Sequence, residues 1–381
     1  MITQRDPVEP DWTLMSETST QVNQINQLDH TLSVLELSVS RGDKAILTGV
    51  NFTLSPGKVL AVMGDSGAGK SSLIRALLGL EPHAQMTLEW AGSTPLHARR
   101  FGWVPQDSDL FPHLSVQDNI GFSAPYLGLS EEELQARLTA LSERLSLSEL
   151  LSRSAAQLSG GQRQRVALAR ALFAKAPVLL LDEPLAHLDQ GARGELRSLI
   201  SQVVHEEQVA CLWVSHDPEE ALEVATQIGL LHQGSLEGPV SPEVALEAPP
   251  TKVFAERFGR VDWFPIVQSE GEWRWGVAGA EVTWPLPTPL THRAHSGALV
   301  GVRESGWEVS VERGQERGEA LKERDCLEMW VERSWPQPWG RTLALRGSEG
   351  VPLLSVQALI REPIATKERV WLYPREVFLV E

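Results

Sequence analysis

Apolar residues between positions 31 and 64 fall into short runs that end at Gly, Asp or Pro. The runs LSVLELSVS, AILTGVNFTL and KVLAVMG are rich in β-branched residues, which predicts three successive β-strands. Two later runs, APVLLLDEP and QVACLWVSHD, are continuously apolar and then turn polar. Such runs are typical of parallel strands that are buried on both faces and carry functional side chains at their carboxyl ends.

Helical periodicity separates the early strands from the later ones. The segment SSLIRALLGL predicts a helix directly after the third run, and SEEELQARLTALSERL predicts another, which begins with a capping box of Ser130 and Glu133. The apolar stripes comprise Leu73, Ile74, Leu77 and Leu78 in the first helix and Leu134, Leu138, Leu141 and Leu145 in the second. We therefore expect a helical insertion over about residues 107–160.

Composition divides the chain into three parts. Residues 1–28 are polar and predict a disordered tail, and Met15 is an alternative start of the protein. Residues 29–245 carry the alternating strands and helices of an α/β domain. In residues 246–381 helical periodicity fades and short runs with Trp, Pro and Val predict a smaller all-β domain. Its nine tryptophans are expected to fill the core of that domain, although an aromatic ligand platform is the alternative.

Charge and cysteine content limit the possible partners and the compartment. The formal net charge is −16, from 50 acidic and 34 basic residues, which disfavours a nucleic-acid partner. Only Cys211 and Cys326 are present, as expected of two core thiols in a reducing compartment. No run approaches the roughly 20 apolar residues that span a bilayer. The chain is therefore expected to be cytosolic, or to reach a membrane by holding another protein.

The stretch GDSGAGKSS, residues 64–72, joins the third strand to the first helix. Its small residues allow consecutive backbone amides to surround phosphate at the beginning of a helix, and the pattern fits a phosphate loop. Lys70 is expected to neutralise the β- and γ-phosphates, and Ser71 to hold Mg²⁺. The predicted nucleotide-binding residues of this loop are Gly64, Asp65, Ser66, Gly67, Ala68, Gly69, Lys70, Ser71 and Ser72.

Two carboxylates follow the apolar run VLLL. Asp182 at the end of the strand is expected to bind Mg²⁺ through water, and Glu183 to orient or deprotonate the attacking water. A solvated acidic strand end would not explain two adjacent carboxylates beside Pro184. The sequence therefore predicts hydrolysis of a nucleoside triphosphate, with Mg²⁺ as the metal, and the resemblance described next implies that the nucleotide is ATP.

The segment QLSGGQRQRVALARAL, residues 157–172, resembles the signature segment of the ATP-binding subunits of ABC transporters. The resemblance extends over about residues 29–245 and implies a P-loop NTPase fold of the ABC type. Two later segments, LVGVRESGWEVS and VWLYPREVFLVE, resemble the small β-barrel (TOBE-like) domain of import-type subunits, with Glu304 where that family commonly has Pro.

The resemblance implies further site residues. Gln106 matches the family's Gln loop, which contacts Mg²⁺ and water, Asp189 matches the loop after the catalytic Glu, and His216 matches the histidine that senses the γ-phosphate. Ser159, which can cap the following helix, also belongs to the signature surface that completes the ATP site of a second subunit. That surface comprises Ser159, Gly160, Gly161 and Gln162.

One position departs from the family's pattern. The family stacks adenine on an aromatic residue near Arg41, and residues 31–51 contain no Phe, Tyr or Trp. The planar guanidinium of Arg41 is expected to stack on adenine instead, or else the selectivity for the base is weak.

The resemblance implies an ATPase that couples ATP hydrolysis to import of a small polar solute or ion. The expected partners are a second ATPase subunit in a head-to-tail dimer, an integral membrane permease and, indirectly, an extracytoplasmic solute-binding protein. The expected location is the cytoplasmic face of the inner membrane. Two alternatives remain: an ABC-type ATPase acting on ribosomes or DNA, and a nucleotide-dependent regulatory module.

Overall fold

The computed structural model describes most of the α/β domain and the strands of the β domain. The described residues are 31–90, 101–186, 188–269, 271–276, 283–287, 290–291, 294–295, 298–303, 307–310, 327–337, 340–346, 354–358, 369–374 and 377–380. The predicted tail of residues 1–28 lies outside them, as do Cys326, Glu304 and Trp339.

The chain forms two compact units. The first comprises the described residues of Met1–Leu60, Ser66–Val214 and Gln233–Ser235. The second comprises those of Ala61–Asp65, Ser215–His232 and Leu236–Glu381.

An antiparallel sheet opens the first unit. Strands β1 (Leu32–Arg41), β2 (Lys44–Leu54) and β4 (Ala84–Trp90) lie in the order β2-β1-β4. A tight turn joins β1 to β2, with Arg41 opposite Lys44. The strands predicted over the runs LSVLELSVS and AILTGVNFTL are therefore confirmed. Buried residues alternate with more exposed ones in both strands, apart from a register shift after Val34 in β1 and a longer gap between Leu47 and Val50 in β2.

Parallel strands form the centre of the first unit. Strands β5 (Phe101–Val104), β6 (Val178–Asp182) and β7 (Ala210–Ser215) are neighbours in that order, and all residues of β6 and β7 are buried. The amide of Cys211 donates to the carbonyl of Lys58 at 2.9 Å, next to the beginning of β3 (Val59–Met63). Burial of Cys211 raises the pKa of its thiol, as expected of an inert core residue.

Helices connect these strands, and they include the two that the periodicity predicts, after the phosphate loop and after Ser130. They are α1 (Lys70–Leu77), α2 (Val116–Ile120), α3 (Glu131–Arg144), α4 (Gly160–Phe173) and α5 (Gln190–Glu206). Short 3₁₀ helices cover Gly121–Tyr126, Ser148–Leu150 and Ala155–Gln157. The capping box of Ser130 and Glu133 is present at the beginning of α3, and its hydrogen bonds to Ser130 lower the pKa of Glu133.

The second unit combines short helices with strands. Strand β8 (Gln227–His232) is a neighbour of β9 (Ser235–Val240), and the helices are α6 (Pro218–Val224), α7 (Pro242–Glu247) and α8 (Lys252–Arg257). Met63, Ile228 and Phe254 belong to one apolar cluster of this unit. The prediction of an all-β segment after residue 246 is wrong over α8, because six residues were too few to reveal a period against the flanking prolines.

The C-terminal strands lie in two five-stranded antiparallel sheets, as expected of the smaller β domain. One contains β10 (Val261–Ser269), β11 (Glu272–Gly276), β12 (Thr283–Pro285), β13 (Leu299–Arg303) and β19 (Phe378–Val380). The other contains β14 (Trp307–Ser310), β15 (Leu327–Gln337), β16 (Gly340–Arg346), β17 (Leu354–Ala358) and β18 (Arg369–Pro374). Trp275 and Trp284 are buried in the core that both sheets share, so for these two the core assignment is confirmed.

Arg303 ties the first of these sheets to the short helices of the same unit. It donates to the carbonyl of Ala255 at 3.0 Å and to the carbonyls of Ala245 and Leu246 at 3.2 Å. Burial lowers the pKa of this guanidinium, which lies over the ring of Phe378. Within the described ranges, no helix has both the length and the apolar character that crossing a membrane requires.

Candidate nucleotide site

The phosphate loop has a backbone that requires glycine at two positions. Gly67 has φ +83° and Gly69 has φ +105°, values in the left-handed region that side chains disfavour. A Cβ added at Gly69 would lie 2.8 Å from Cδ2 of Leu47, so the Leu47 side chain would have to move to admit it. Helix α1 begins directly after Gly69 without a side-chain cap. This arrangement suits an anion at the beginning of the helix.

Lys70, the first residue of α1, reaches the second of the predicted carboxylates. Its Nζ lies 3.6 Å from Oε1 of Glu183, and the two side chains are 6% and 18% exposed. Glu183 follows β6 with φ +45°, and its amide donates to the carbonyl of Val214 at 2.9 Å. A non-glycine residue in this backbone region is uncommon and is often found at a functional site.

Ser71 and Asp182 face each other beside this pair. Oγ of Ser71 lies 3.5 Å from Oδ1 of Asp182, which is buried. Burial raises the pKa of Asp182, the hydrogen bond from Ser71 opposes the rise, and the nearby Glu183 adds to it. A nearby divalent cation would favour the ionised form of this carboxylate.

These two side chains fit Mg²⁺ and not a metal held by protein alone. Hydroxyl and carboxylate oxygens are hard ligands, and Mg²⁺ usually takes one or two from protein and the rest from water and phosphate. Correspondingly, the described residues contain no group of three or more His, Cys, Asp and Glu side chains that could hold a metal.

Gln106 and the signature helix line one cleft. Gln106 follows β5 and shares a cleft of about 240 Å³ with Gly160, Gln164, Pro184 and Leu188. The predicted Gln loop therefore lies near the residue that follows Glu183. The role of Gln106 as a metal ligand stays a prediction.

Two helix caps lie side by side on the signature surface. Ser159 caps α4 in a reciprocal box with Gln162, and Asp189 caps α5 by accepting from the amide of Ala192 at 3.0 Å. The residues Ser159, Gly160, Gly161, Gln162 and Asp189 line a common cleft. The predicted capping role of Ser159 is confirmed.

Arg41 is held beside the phosphate loop by an acidic residue. Its Nη2 lies 2.6 Å from Oε1 of Glu81 and 3.2 Å from Oγ of Ser72. Glu81 is only 8% exposed, whereas Arg41 is 50% exposed. Glu81 thus positions the guanidinium while half of the Arg41 side chain is exposed, which the sequence alone did not indicate.

His216 and an unpredicted arginine belong to the second unit. His216 directly follows β7, and its carbonyl accepts from Arg257 at 3.2 Å. The same guanidinium contacts Asp65 and the carbonyl of Gly64. Nothing in the sequence singled out Arg257, because these contacts cross 192, 193 and 41 positions of the chain.

Comparison with known proteins agrees with this geometry. A family model described as ABC transporter matches residues 47–186. The chain is 35% identical over 291 residues to the sulfate/thiosulfate import ATP-binding protein CysA of Escherichia coli K12, covering 74% of this chain and 77% of that protein. It is also 35% identical over 300 residues to the protein of the same name from Gloeobacter violaceus, covering 76% of this chain and 87% of that one.

Two solved structures resemble part of the chain. The cbiO1 protein of Clostridium perfringens, described as part of the ABC transporter complex cbiONQ, matches with a TM-score of 0.52 and 27% identity, over 60% of this chain and 92% of that one. The ATP-binding subunit of another ABC transporter matches with a TM-score of 0.51 and 26% identity, over 56% of this chain and 91% of that one.

Proposed function

The chain belongs to the ATP-binding subunits of ABC importers, and from that membership we propose that residues 64–72 hold the polyphosphate of ATP while Glu183 activates the attacking water. The protein is an ATPase that acts with a membrane permease. The alternatives of an ATPase on ribosomes or DNA and of a regulatory module are not favoured by these relatives. What remains to be assigned is the role of each residue.

The proposal rests on two neighbouring contacts between the phosphate loop and the end of strand β6. Lys70 pairs with Glu183, and Ser71 contacts Asp182. The amides at the beginning of α1 and the ammonium of Lys70 would bind the phosphate oxygens. Ser71 and Asp182 would hold Mg²⁺, directly or through water, with Gln106 as a third polar group. When bound, Mg²⁺ neutralises charge that develops on the transferred phosphoryl group.

Glu183 is proposed to take the proton of the attacking water. The water oxygen bonds to the γ-phosphorus, the bond from that phosphorus to the β–γ bridging oxygen breaks, and the water proton passes to the carboxylate of Glu183. Its pairing with Lys70 restrains the carboxylate next to the phosphate loop. His216 is proposed to contact the γ-phosphate, and Arg41 to stack on adenine with Glu81 fixing its plane.

The ATP site is proposed to be completed by a second copy in head-to-tail arrangement. Support comes from the clustering of Ser159, Gly160, Gly161, Gln162 and Asp189 along one cleft. The capped beginning of α4 there adds a positive helix end that suits phosphate. Size measurement of the Glu183→Gln protein tests this arrangement: with ATP the mass should double, and a monomer at saturating ATP would contradict it.

We further propose that the assembly lies on the cytoplasmic face of the inner membrane and receives its solute from an extracytoplasmic binding protein. The names of the relatives support a small oxyanion such as sulfate or thiosulfate as the solute. Affinity purification from detergent-solubilised membranes should recover a polytopic permease, and uptake of labelled sulfate should depend on this chain. Recovery of a permease without sulfate uptake would refute the solute alone, whereas recovery only of ribosomes or DNA would refute the transporter.

A further inference from the structure

A single guanidinium in the second unit connects three backbone and side-chain acceptors. Nη1 of Arg257 lies 2.7 Å from Oδ1 of Asp65, and Nη2 lies 3.2 Å from the carbonyl oxygens of both Gly64 and His216. Gly64 and Asp65 open the phosphate loop, and His216 is the residue to which the γ-phosphate contact is assigned. Arg257 thus links two parts of the proposed site that are distant in sequence.

The chemistry of arginine suits this position better than that of any other residue. Its planar fork presents several donors in a fixed geometry, so one side chain can hold two carbonyls and a carboxylate at set distances. The side chain is 22% exposed, and its Nε is buried with no hydrogen-bond partner among the residues that the structure describes. Burying an unpaired N–H donor costs desolvation free energy, which the side chain would recover if it turned into the solvent. The three hydrogen bonds of Nη1 and Nη2 offset this cost and keep the side chain in place.

Helix α8, which carries Arg257, is fixed by its cap, by a hydrogen bond from Arg303 and by burial. Arg257 is the last residue of α8, whose beginning is capped by Thr251 and whose Ala255 carbonyl accepts from Arg303 of β13. Phe254 of the same helix is fully buried. A helix fixed in this way can position the loop and His216 through one side chain.

We propose that Arg257 is a positioning residue for ATP hydrolysis, which sets the backbone of His216 against the first residues of the phosphate loop. This inference rests on the proposed function, since it takes His216 to contact the γ-phosphate. Without Arg257, the remaining loop residues from Gly67 to Ser71 would still bind the phosphates of ADP. The defect should therefore fall on turnover and on nucleotides that carry a γ-phosphate.

The test compares Arg257→Ala, Arg257→Lys and Lys252→Ala with the wild-type chain. Lys252 is a matched control, because it is a basic residue of the same helix whose ion pair is with Glu256 and whose ring contact is with Trp263. For each protein we would measure kcat and KM for ATP, the affinities for ADP and for a non-hydrolysable ATP analogue, and Tm.

Arg257→Ala is expected to lower kcat about tenfold, the size of effect typical of a lost charge-assisted hydrogen-bonding group. Its affinity for the ATP analogue should fall, while that for ADP stays within about twofold. Arg257→Lys should recover part of kcat, because an ammonium keeps the charge but not the fork. Lys252→Ala should resemble the wild type throughout.

Equal losses of ADP and analogue binding together with a lowered Tm would show a purely structural role and overturn the inference. Unchanged kcat in Arg257→Ala would overturn it as well. Either result, with a wild type that hydrolyses ATP, leaves the proposed function intact. A wild type that does not hydrolyse ATP would instead refute the function on which the inference rests.

Discussion

Nζ of Lys70 lies 3.6 Å from Oε1 of Glu183, which pairs the cation of the phosphate loop with the carboxylate proposed to activate water. The pair is mostly shielded from solvent, so its attraction is screened less than that of a surface pair. Lys70 is proposed to neutralise both the phosphate and the carboxylate of Glu183. Changes at Glu183 should therefore affect phosphate binding and hydrolysis differently.

Replacing Glu183 with Gln should therefore separate binding from turnover. The amide cannot accept the water proton, so ATP hydrolysis should fall by about 100-fold or more. Loss of its negative charge also removes the competition of Glu183 with phosphate for Lys70, so ATP affinity should be kept or increase. Phosphate release and equilibrium ATP binding measure the two effects. Glu206→Gln, at a surface ion pair with Arg144, is the control and should keep full turnover. Unchanged hydrolysis in Glu183→Gln would show that Glu183 does not activate the attacking water.

The raised pKa of Asp182 predicts a pH-dependent stability in the absence of Mg²⁺. Burial raises this pKa above its ordinary value of 3.8, so the folded protein binds the proton more tightly than the unfolded chain. The contribution of Asp182 to the free energy of unfolding then decreases as pH rises from 3.8 through the raised pKa.

Asp182→Asn should remove this loss. Without Mg²⁺, the Tm of the variant relative to the wild type should be more favourable at neutral pH than at acidic pH. Addition of Mg²⁺ and ATP should stabilise the wild type but have a smaller effect on the variant. A Tm difference that does not change with pH would contradict the assigned environment of Asp182.

Two glycine-to-alanine changes should have opposite effects on stability. At Gly69 the left-handed backbone disfavours a side chain and an added methyl group would displace Leu47, so Gly69→Ala should abolish ATP binding and lower Tm. Gly194 lies within α5 and has open space where a Cβ would lie, so Gly194→Ala should stabilise the protein by about 0.5–1 kcal/mol. Thermal unfolding and ATP titration measure both. Normal ATP binding by Gly69→Ala would contradict the proposed geometry of the loop.

Arg41→Ala should weaken nucleotide binding without much regard to the base. A guanidinium plane stacks on the face of a purine and does not read its edges, so the affinities for ATP and GTP should both fall several-fold, by about 1 kcal/mol. Lys44→Ala, opposite Arg41 in the β1–β2 hairpin, is the control. Unchanged affinities in Arg41→Ala would contradict the stacking of Arg41 on the base and would show that its pairing with Glu81 is only structural.

Much of the fold and of the site follows from local sequence pattern. The buried runs that become β6 and β7, the capping boxes at Ser130 and Ser159 and the strand–loop–helix at residues 64–72 are encoded within a few neighbouring positions. Local propensity and spacing suffice for such features because each is determined by one turn of helix or one strand.

Other features depend on contacts between distant residues and have no local signal. The ion pair of Arg257 with Asp65 joins positions 192 residues apart, and that of Arg41 with Glu81 joins positions 40 residues apart. The short helix α8 is stabilised by burial of Phe254 and by its cap more than by any repeating pattern. Tertiary packing therefore determines the parts that the sequence did not reveal.

Calorimetric titration of the purified chain with ATP in the presence of Mg²⁺ tests the central claim, that main-chain amides and Lys70 hold the polyphosphate. The account predicts saturable binding by the wild type and its loss, or a decrease of about 100-fold or more, in Lys70→Ala, since a charge-assisted contact in a shielded site is removed. Absence of measurable binding by the wild type, or equal affinity in Lys70→Ala, would contradict it.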